Sequence, residues 1–166
     1  GGKESFMNKI SGQLKSKRHR TKIEVNLTAI RKNLHLIKSR LEEHTKCLVM
    51  VKANAYGSGL IKVGQYIEQL GADYLGVAYT DEGIALRKNG VKCPILVMNA
   101  GADDFQECID FGLEPSVYSL QVLDDLVKTL IANKKLAFPI HLKVDTGMKR
   151  LGISPNEIAE FISILK

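Results

Sequence analysis

Short apolar runs rich in β-branched residues alternate with amphipathic stretches along most of this 166-residue chain. The clearest run, Cys47-Leu-Val-Met-Val51, is apolar throughout, as expected for a strand that is covered on both faces. A stretch with helical spacing follows from about residue 60 to 70 and stops at Gly71. A strand followed by such a helix is one β/α unit, and its repetition predicts a parallel sheet with right-handed crossovers.

This unit recurs along the chain. The predicted strands are residues 21–26, 47–51, 74–78, 94–98, 113–118 and 139–144. The first two helices after them are predicted over about residues 27–41 and 60–70. The third and fourth end near residues 90 and 112, the fifth covers 120–132, and the sixth starts at residue 154. Six units in series lie either in an open sheet or in a barrel, which closes with eight. We therefore expect an α/β fold of the (β/α)8 TIM-barrel type with parallel strands, truncated to about six β/α units.

Residues 1–20 lack steady periodicity and contain the basic run Lys15-Ser-Lys-Arg-His-Arg20. We interpret residues 1–20 as a leader or interdomain linker and residues 21–166 as the barrel portion. Much of the formal net charge of +6 comes from the basic run. The remainder mixes both signs without aromatic residues interleaved in a basic stripe, which disfavours a nucleic-acid partner. No apolar run approaches the roughly 20 residues of a membrane helix, and no signal-peptide pattern is present, so we expect a cytoplasmic protein.

The three cysteines, Cys47, Cys93 and Cys108, include no C-x-x-C pair. We expect reduced thiols, with neither a disulfide framework nor a metal site. No metal-ligand spacing connects His35 and His44, which we interpret as surface residues.

A lysine ends the second predicted strand, within Met50-Val-Lys52-Ala-Asn-Ala-Tyr56-Gly-Ser-Gly59. In parallel α/β proteins the carboxyl ends of the strands face the active site. A desolvated amine there is suited to attack an aldehyde. The simpler alternative is a strand-end lysine whose amine reaches solvent.

The segment Val51-Lys-Ala-Asn-Ala-Tyr-Gly57 resembles the cofactor-lysine motif of the alanine racemase family. The resemblance implies that Lys52 forms the internal aldimine with pyridoxal 5'-phosphate and is the catalytic base on one face of the substrate Cα. It also implies that Tyr56 contacts the cofactor phosphate. Ser58 departs from the family pattern, which commonly has histidine there.

Residues 141–152, His-Leu-Lys-Val-Asp-Thr-Gly-Met-Lys-Arg-Leu-Gly, resemble the family's sixth-strand motif. The resemblance implies that Arg150 binds the phenolic oxygen of the cofactor and the substrate carboxylate, a task that suits its planar fork. Lys143 would support Arg150, in many members as a carbamate. Lys149 stands where the family more commonly has glycine.

Other polar residues have structural explanations. Asp145 precedes Thr-Gly, where an aspartate often caps its own backbone. Glu82, Leu86 and Arg87 resemble the family's third-helix pattern, but helix packing and surface pairing explain them equally well, and we assign them no chemistry.

The resemblance implies an isomerase that interconverts L-alanine and D-alanine with pyridoxal 5'-phosphate and supplies D-alanine for peptidoglycan. Members of the family work as homodimers, in which a tyrosine from the partner's C-terminal domain acts on the opposite face of the substrate. Because that domain and the last barrel units lie outside the matched segments, we expect this chain to be an inactive fragment. The leader is compatible with a junction to the ligase that joins D-alanine, since some bacteria fuse the two enzymes.

Three alternatives remain open. A non-catalytic pyridoxal-phosphate-binding barrel would share the fold and the lysine, but its lysine motif reads differently. Decarboxylases with a similar barrel are disfavoured because both motifs point to the racemase. A basic nucleic-acid-binding domain, the most distant alternative, would lose affinity steeply with salt.

Overall fold

The computed structural model of the protein describes residues 23–135 and 137–165. Five strands form one parallel sheet in the order of the sequence. They are β1 (Leu48–Met50), β2 (Tyr74–Val77), β3 (Ile95–Val97), β4 (Glu114–Val117) and β5 (His141–Leu142). Each strand therefore pairs with the next one along the chain, as a series of β/α units predicts.

Helices separate the strands. They are α1 (Leu27–Lys38), α2 (Leu60–Gln69), α3 (Thr80–Lys88), α4 (Phe105–Phe111), α5 (Leu120–Ala132) and α6 (Ile158–Ile164), with 3-10 turns at Ala102–Asp104 and Pro155–Glu157. The predicted bounds of α5 are confirmed, and Ser119 Oγ caps it by accepting from Val122 N at 3.2 Å. No described helix is long and apolar enough to cross a bilayer.

The strand predicted over residues 21–26 is wrong for its described part, because residues 23–26 form no strand. Ile23 and Val25 are 75% and 37% exposed, so their alternation is not accompanied by burial. Asn26 instead caps α1, its Oδ1 accepting from Ala29 N at 3.0 Å. The described sheet therefore has five strands where six were predicted, and Lys52 follows its first strand. The leader predicted over residues 1–20 lies outside the described residues.

The two faces of the sheet differ. The outer face packs on the helices: a Cβ added to Gly64 of α2 would lie 3.6 Å from Leu75, and one added to Gly83 of α3 would lie 3.0 Å from Leu113. The outward side chains Leu75, Val77, Ile95, Val97 and Val117 are fully buried. Alternation places Tyr74, Gly76, Glu114, Ser116 and His141 on the inner face.

Arg87 ties together the loops at the amino edge of the sheet. Its guanidinium donates to the carbonyls of Val91, Cys93, Phe111 and Gly112 at 2.8–3.1 Å. At the other end of α3, Glu82 Oε2 accepts from Ala78 N at 2.8 Å. Leu86 is fully buried, so packing and hydrogen bonds to the backbone account for the third-helix pattern.

Candidate functional site

Lys52 lies at the carboxyl edge of the sheet. It is half-buried and stands two residues beyond Met50, the last residue of β1. Leu48 and Met50 pack near Gly76 on the inner face, and Val51 has φ of -123° and ψ of 18°, so the extended backbone of the strand ends before Lys52. The predicted strand-end position of Lys52 is therefore confirmed.

A left-handed turn follows Lys52. Ala53, Asn54 and Ala55 have φ of 51 to 55° with ψ of 44 to 53°, and Tyr56 has φ of 55°. Left-handed backbone costs about 1–2 kcal/mol per residue for L-amino acids other than glycine, with asparagine the most tolerant. Strain of this kind is held in place by surrounding structure and clusters at functional sites.

Hydrogen bonds hold the turn. Ala55 N donates to Val51 O at 2.9 Å, and Gly57 N donates to Ala53 O at 3.1 Å. The buried Ala55 side chain anchors the turn to the core. Asn54 Oδ1 accepts from Leu60 N at 2.8 Å and so joins the turn to α2. Tyr56 is left 65% exposed at the same edge as Lys52.

The second predicted site segment follows β5. Lys143 N donates to Val117 O at 2.8 Å, and Lys143 O accepts from Ile153 N at 2.9 Å. An isolated parallel bridge pairs Val144 with Ile153. The intervening loop, residues 145–152, therefore leaves and returns at the carboxyl edge, carrying the exposed Arg150.

Asp145 organises that loop. Its Oδ1 accepts from Gly147 N at 2.9 Å and from Lys149 N at 3.0 Å, which confirms the expected capping role. These bonds, with the Gly147 bond the largest contributor, lower the pKa of the Asp145 carboxyl. Lys149 has φ of 55°, a left-handed conformation in which glycine is the less strained residue.

The structure thus brings all four candidate side chains to one edge of the sheet, but at two places. Lys52 and Tyr56 follow β1, and Lys143 and Arg150 follow β5 at the far side of the strand order. Among the described residues, no hydrogen bond joins these two groups. A closed barrel would bring the two sides of the edge to face each other.

An inner-face cluster was missed by the sequence analysis. Glu114 Oε2 lies 2.6 Å from His141 Nε2, and the ring of Tyr74 stands edge-on to the imidazole with centroids 5.8 Å apart. The pKa of the Tyr74 phenol is raised, mainly by burial and secondly by the negative charge of the nearby Glu114. The available signal was one carboxylate inside the otherwise uncharged strand 113–118.

Known proteins are similar to this chain in sequence and in structure. The family model described as "Alanine racemase, N-terminal domain" matches residues 25–166. The chain belongs to the alanine racemase family. It is 37% identical over 150 residues to the alanine racemase of Citrifermentans bemidjiense, covering 88% of this chain and 39% of that relative. It is 41% identical over 139 residues to that of Halalkalibacterium halodurans, covering 82% of this chain and 35% of the relative.

The same family appears among solved structures. Alanine racemase from Clostridium difficile matches with a TM-score of 0.80 and 36% identity, over 87% of this chain and 40% of that one. This match confirms the predicted fold class, since the described sheet is an N-terminal portion of a TIM-type barrel. The chain spans roughly two fifths of the length of these alanine racemases.

Proposed function

We propose that this chain supplies the lysine-bearing part of an alanine racemase active site and that Lys52 holds pyridoxal 5'-phosphate. The observation that carries the proposal is Lys52 at the carboxyl end of β1, immediately before a strained left-handed turn, in a chain of this family. Strain is retained where the surrounding structure enforces it, and strained residues cluster at active sites and ligand-binding sites.

The donor set fits the cofactor. Pyridoxal 5'-phosphate carries an aldehyde, a phosphate and a phenolic oxygen, and the edge offers an amine, a phenol and a guanidinium of matching chemistry. Lys52 would bind the aldehyde carbon covalently, Tyr56 would donate to the phosphate, and Arg150 would donate to the phenolic oxygen and to the carboxylate of alanine. Lys143 would orient Arg150, and a carbamate on its amine would add the anion that a guanidinium prefers.

Lys52 would also move the proton. When bound, the cofactor supplies the electron sink that makes the Cα proton of an amino acid removable. The Lys52 Nζ would take or return that proton on one face of the alanine Cα, and racemisation needs a second acid or base on the opposite face.

We infer that the second acid or base comes from elsewhere. The segments that match this chain make up 39% and 35% of the two alanine racemases named above, so most residues of each relative lie outside the match. A tyrosine of a partner subunit in a homodimer would fill that role, so the described chain alone would bind cofactor without racemising alanine. A complete enzyme would act in the cytoplasm and supply D-alanine for peptidoglycan.

The test is cofactor trapping. Pyridoxal 5'-phosphate is added to the chain and to Lys52→Ala, with Lys62→Ala on α2 as the matched control. Visible absorption of a lysine-bound cofactor is recorded, followed by borohydride reduction and peptide mass analysis. The proposal expects an adduct on Lys52 in the chain and in Lys62→Ala, and none at this peptide in Lys52→Ala. An adduct spread over several lysines, or one that survives Lys52→Ala unchanged, would contradict it.

A further inference from the structure

The last strand of the sheet is short. β5 comprises only His141–Leu142, paired to β4 as Ser116 with His141 and Val117 with Leu142. Few backbone hydrogen bonds therefore determine its register against β4. The register matters because a shift by one residue moves every side chain of a strand to the opposite face.

A side-chain hydrogen bond on the inner face links the same two strands. Glu114 Oε2 and His141 Nε2 are 2.6 Å apart, and Glu114 is 9% exposed. Glu114 lies two residues before Ser116 on the same face, so His141 reaches it diagonally. Sliding β5 by two residues would displace the imidazole by about 7 Å, and sliding it by one would turn the imidazole to the outer face. The bond therefore forms in one register only.

Tyr74 packs against the His141 imidazole. Its ring stands at 88° to the imidazole, the edge-on arrangement that aromatic rings favour. The His141 imidazole thus contacts Tyr74 on β2 as well as Glu114 on β4. None of Tyr74, Glu114 and His141 is among the candidate cofactor contacts described above.

We propose that Glu114 is a positioning residue, which holds β5 in register through His141 and thereby places Lys143 and the loop that carries Arg150. The proposal rests on the proposed function for its consequence, because those two residues are the candidate cofactor contacts. Lys143 lies only two residues beyond His141, in the same alternating series. The Lys143 carbonyl accepts a hydrogen bond from Ile153 N, at the end of the loop that contains Arg150.

The first experiment measures register without cofactor. Amide hydrogen exchange is followed at Lys143 and Ile153, whose N–H groups donate to Val117 O and Lys143 O. Glu114→Ala should speed exchange at both by about tenfold or more, since a buried partner is lost. Glu114→Gln keeps a hydrogen-bond acceptor and should stay within about threefold of the unaltered chain.

Controls make the result decisive. Glu107→Ala removes an exposed carboxylate from α4 and should leave both amides unchanged. Exchange at Leu75 in β2, which donates to Pro94 O, reports general loss of stability. Unchanged exchange at Lys143 in Glu114→Ala, equal acceleration at Leu75, or a Glu114→Gln variant as fast as Glu114→Ala would each overturn the proposal.

A second experiment measures the consequence. Titration with pyridoxal 5'-phosphate should give a dissociation constant about tenfold weaker in Glu114→Ala, with recovery in Glu114→Gln and the adduct still on Lys52. An unchanged constant in Glu114→Ala would contradict the placement of the cofactor contacts. If the unaltered chain forms no adduct, the proposed function fails, and the register proposal is then decided by the exchange experiment alone.

Discussion

Asn54 Oδ1 accepts a hydrogen bond from Leu60 N at 2.8 Å, so a residue of the left-handed turn caps the helix that follows it. Gly59, at the N-cap position of α2, has no side chain with which to do so. Asn54 therefore combines two properties, tolerance of positive φ and a capping oxygen.

Substitution at Asn54 separates these two properties. Asn54→Ala removes both and should destabilise the protein by about 1–2 kcal/mol. Asn54→Gly removes only the cap and should cost a few tenths of a kcal/mol. Urea unfolding of both variants is the measurement, and an Asn54→Gly variant less stable than Asn54→Ala would contradict this account.

Sequence patterns were sufficient for much of the fold. Helix α5 was predicted with its observed bounds because the apolar spacing along residues 120–132 is a local signal. The capping box at Ser154 predicted the start of the last helical segment, where Glu157 Oε2 accepts from Ser154 N at 2.7 Å. Signals of this kind depend on nearby residues alone.

Features that depend on a pairing strand or on an unusual backbone conformation were not predicted. Ile23 and Val25 alternate as a strand would, but alternation does not reveal whether a pairing strand is adjacent. Ala53 and Ala55 give no indication of positive φ, because their conformation is enforced by bonds to Val51 and Gly57. The Lys52 motif was found through its resemblance, whereas its backbone strain was visible only in the structure.

Arg87 should be hard to replace. Its fork reaches four carbonyls in two separate loops, and lysine offers one compact ammonium in place of that geometry. Arg87→Lys should lower the free energy of unfolding by about 2–3 kcal/mol, because carbonyls lose charged donors. Thermal unfolding checks this, with Lys88→Arg as the neighbouring control. Equal thermal unfolding midpoints for Arg87→Lys and the unaltered chain would show that the four hydrogen bonds of Arg87 do not stabilise these loops.

Gly152 allows a close backbone approach. At φ of 140°, an added Cβ would lie 2.6 Å from Asp145 N. Gly152→Ala should cost about 3 kcal/mol or more and disrupt the Val144–Ile153 bridge, because backbone must move. Gly90→Ala is the matched control: φ is 86° and nothing lies within 4 Å, so only about 1 kcal/mol is expected. Similar losses in both variants would show that the close approach is unimportant.

Lys149 is strained where glycine would not be. Lys149→Gly should stabilise the chain by about 0.5–1 kcal/mol, after allowance for the greater freedom of glycine in the unfolded chain. Lys149→Ala removes the charge but keeps the β-carbon, and should give no such gain. Chemical denaturation distinguishes them. A gain in both variants would trace the effect to charge near Arg150 instead of backbone conformation.

Asp145 should make the stability of its loop depend on acid. Bonds from the backbone of Gly147 and Lys149 lower its folded pKa below the ordinary value of 3.8. A carboxyl whose pKa is lowered in the folded state stabilises that state at pH values above its ordinary pKa of 3.8. This contribution is lost as the pH falls from 3.8 through the folded pKa. The stability difference between the unaltered chain and Asp145→Ala should therefore be constant near neutral pH and shrink below about pH 4. The direct measurement is an NMR titration of the Asp145 carboxyl carbon, alongside unfolding midpoints for both proteins. A titration at the ordinary value, or a difference that is independent of pH, would show that the charge of Asp145 contributes nothing to its cap.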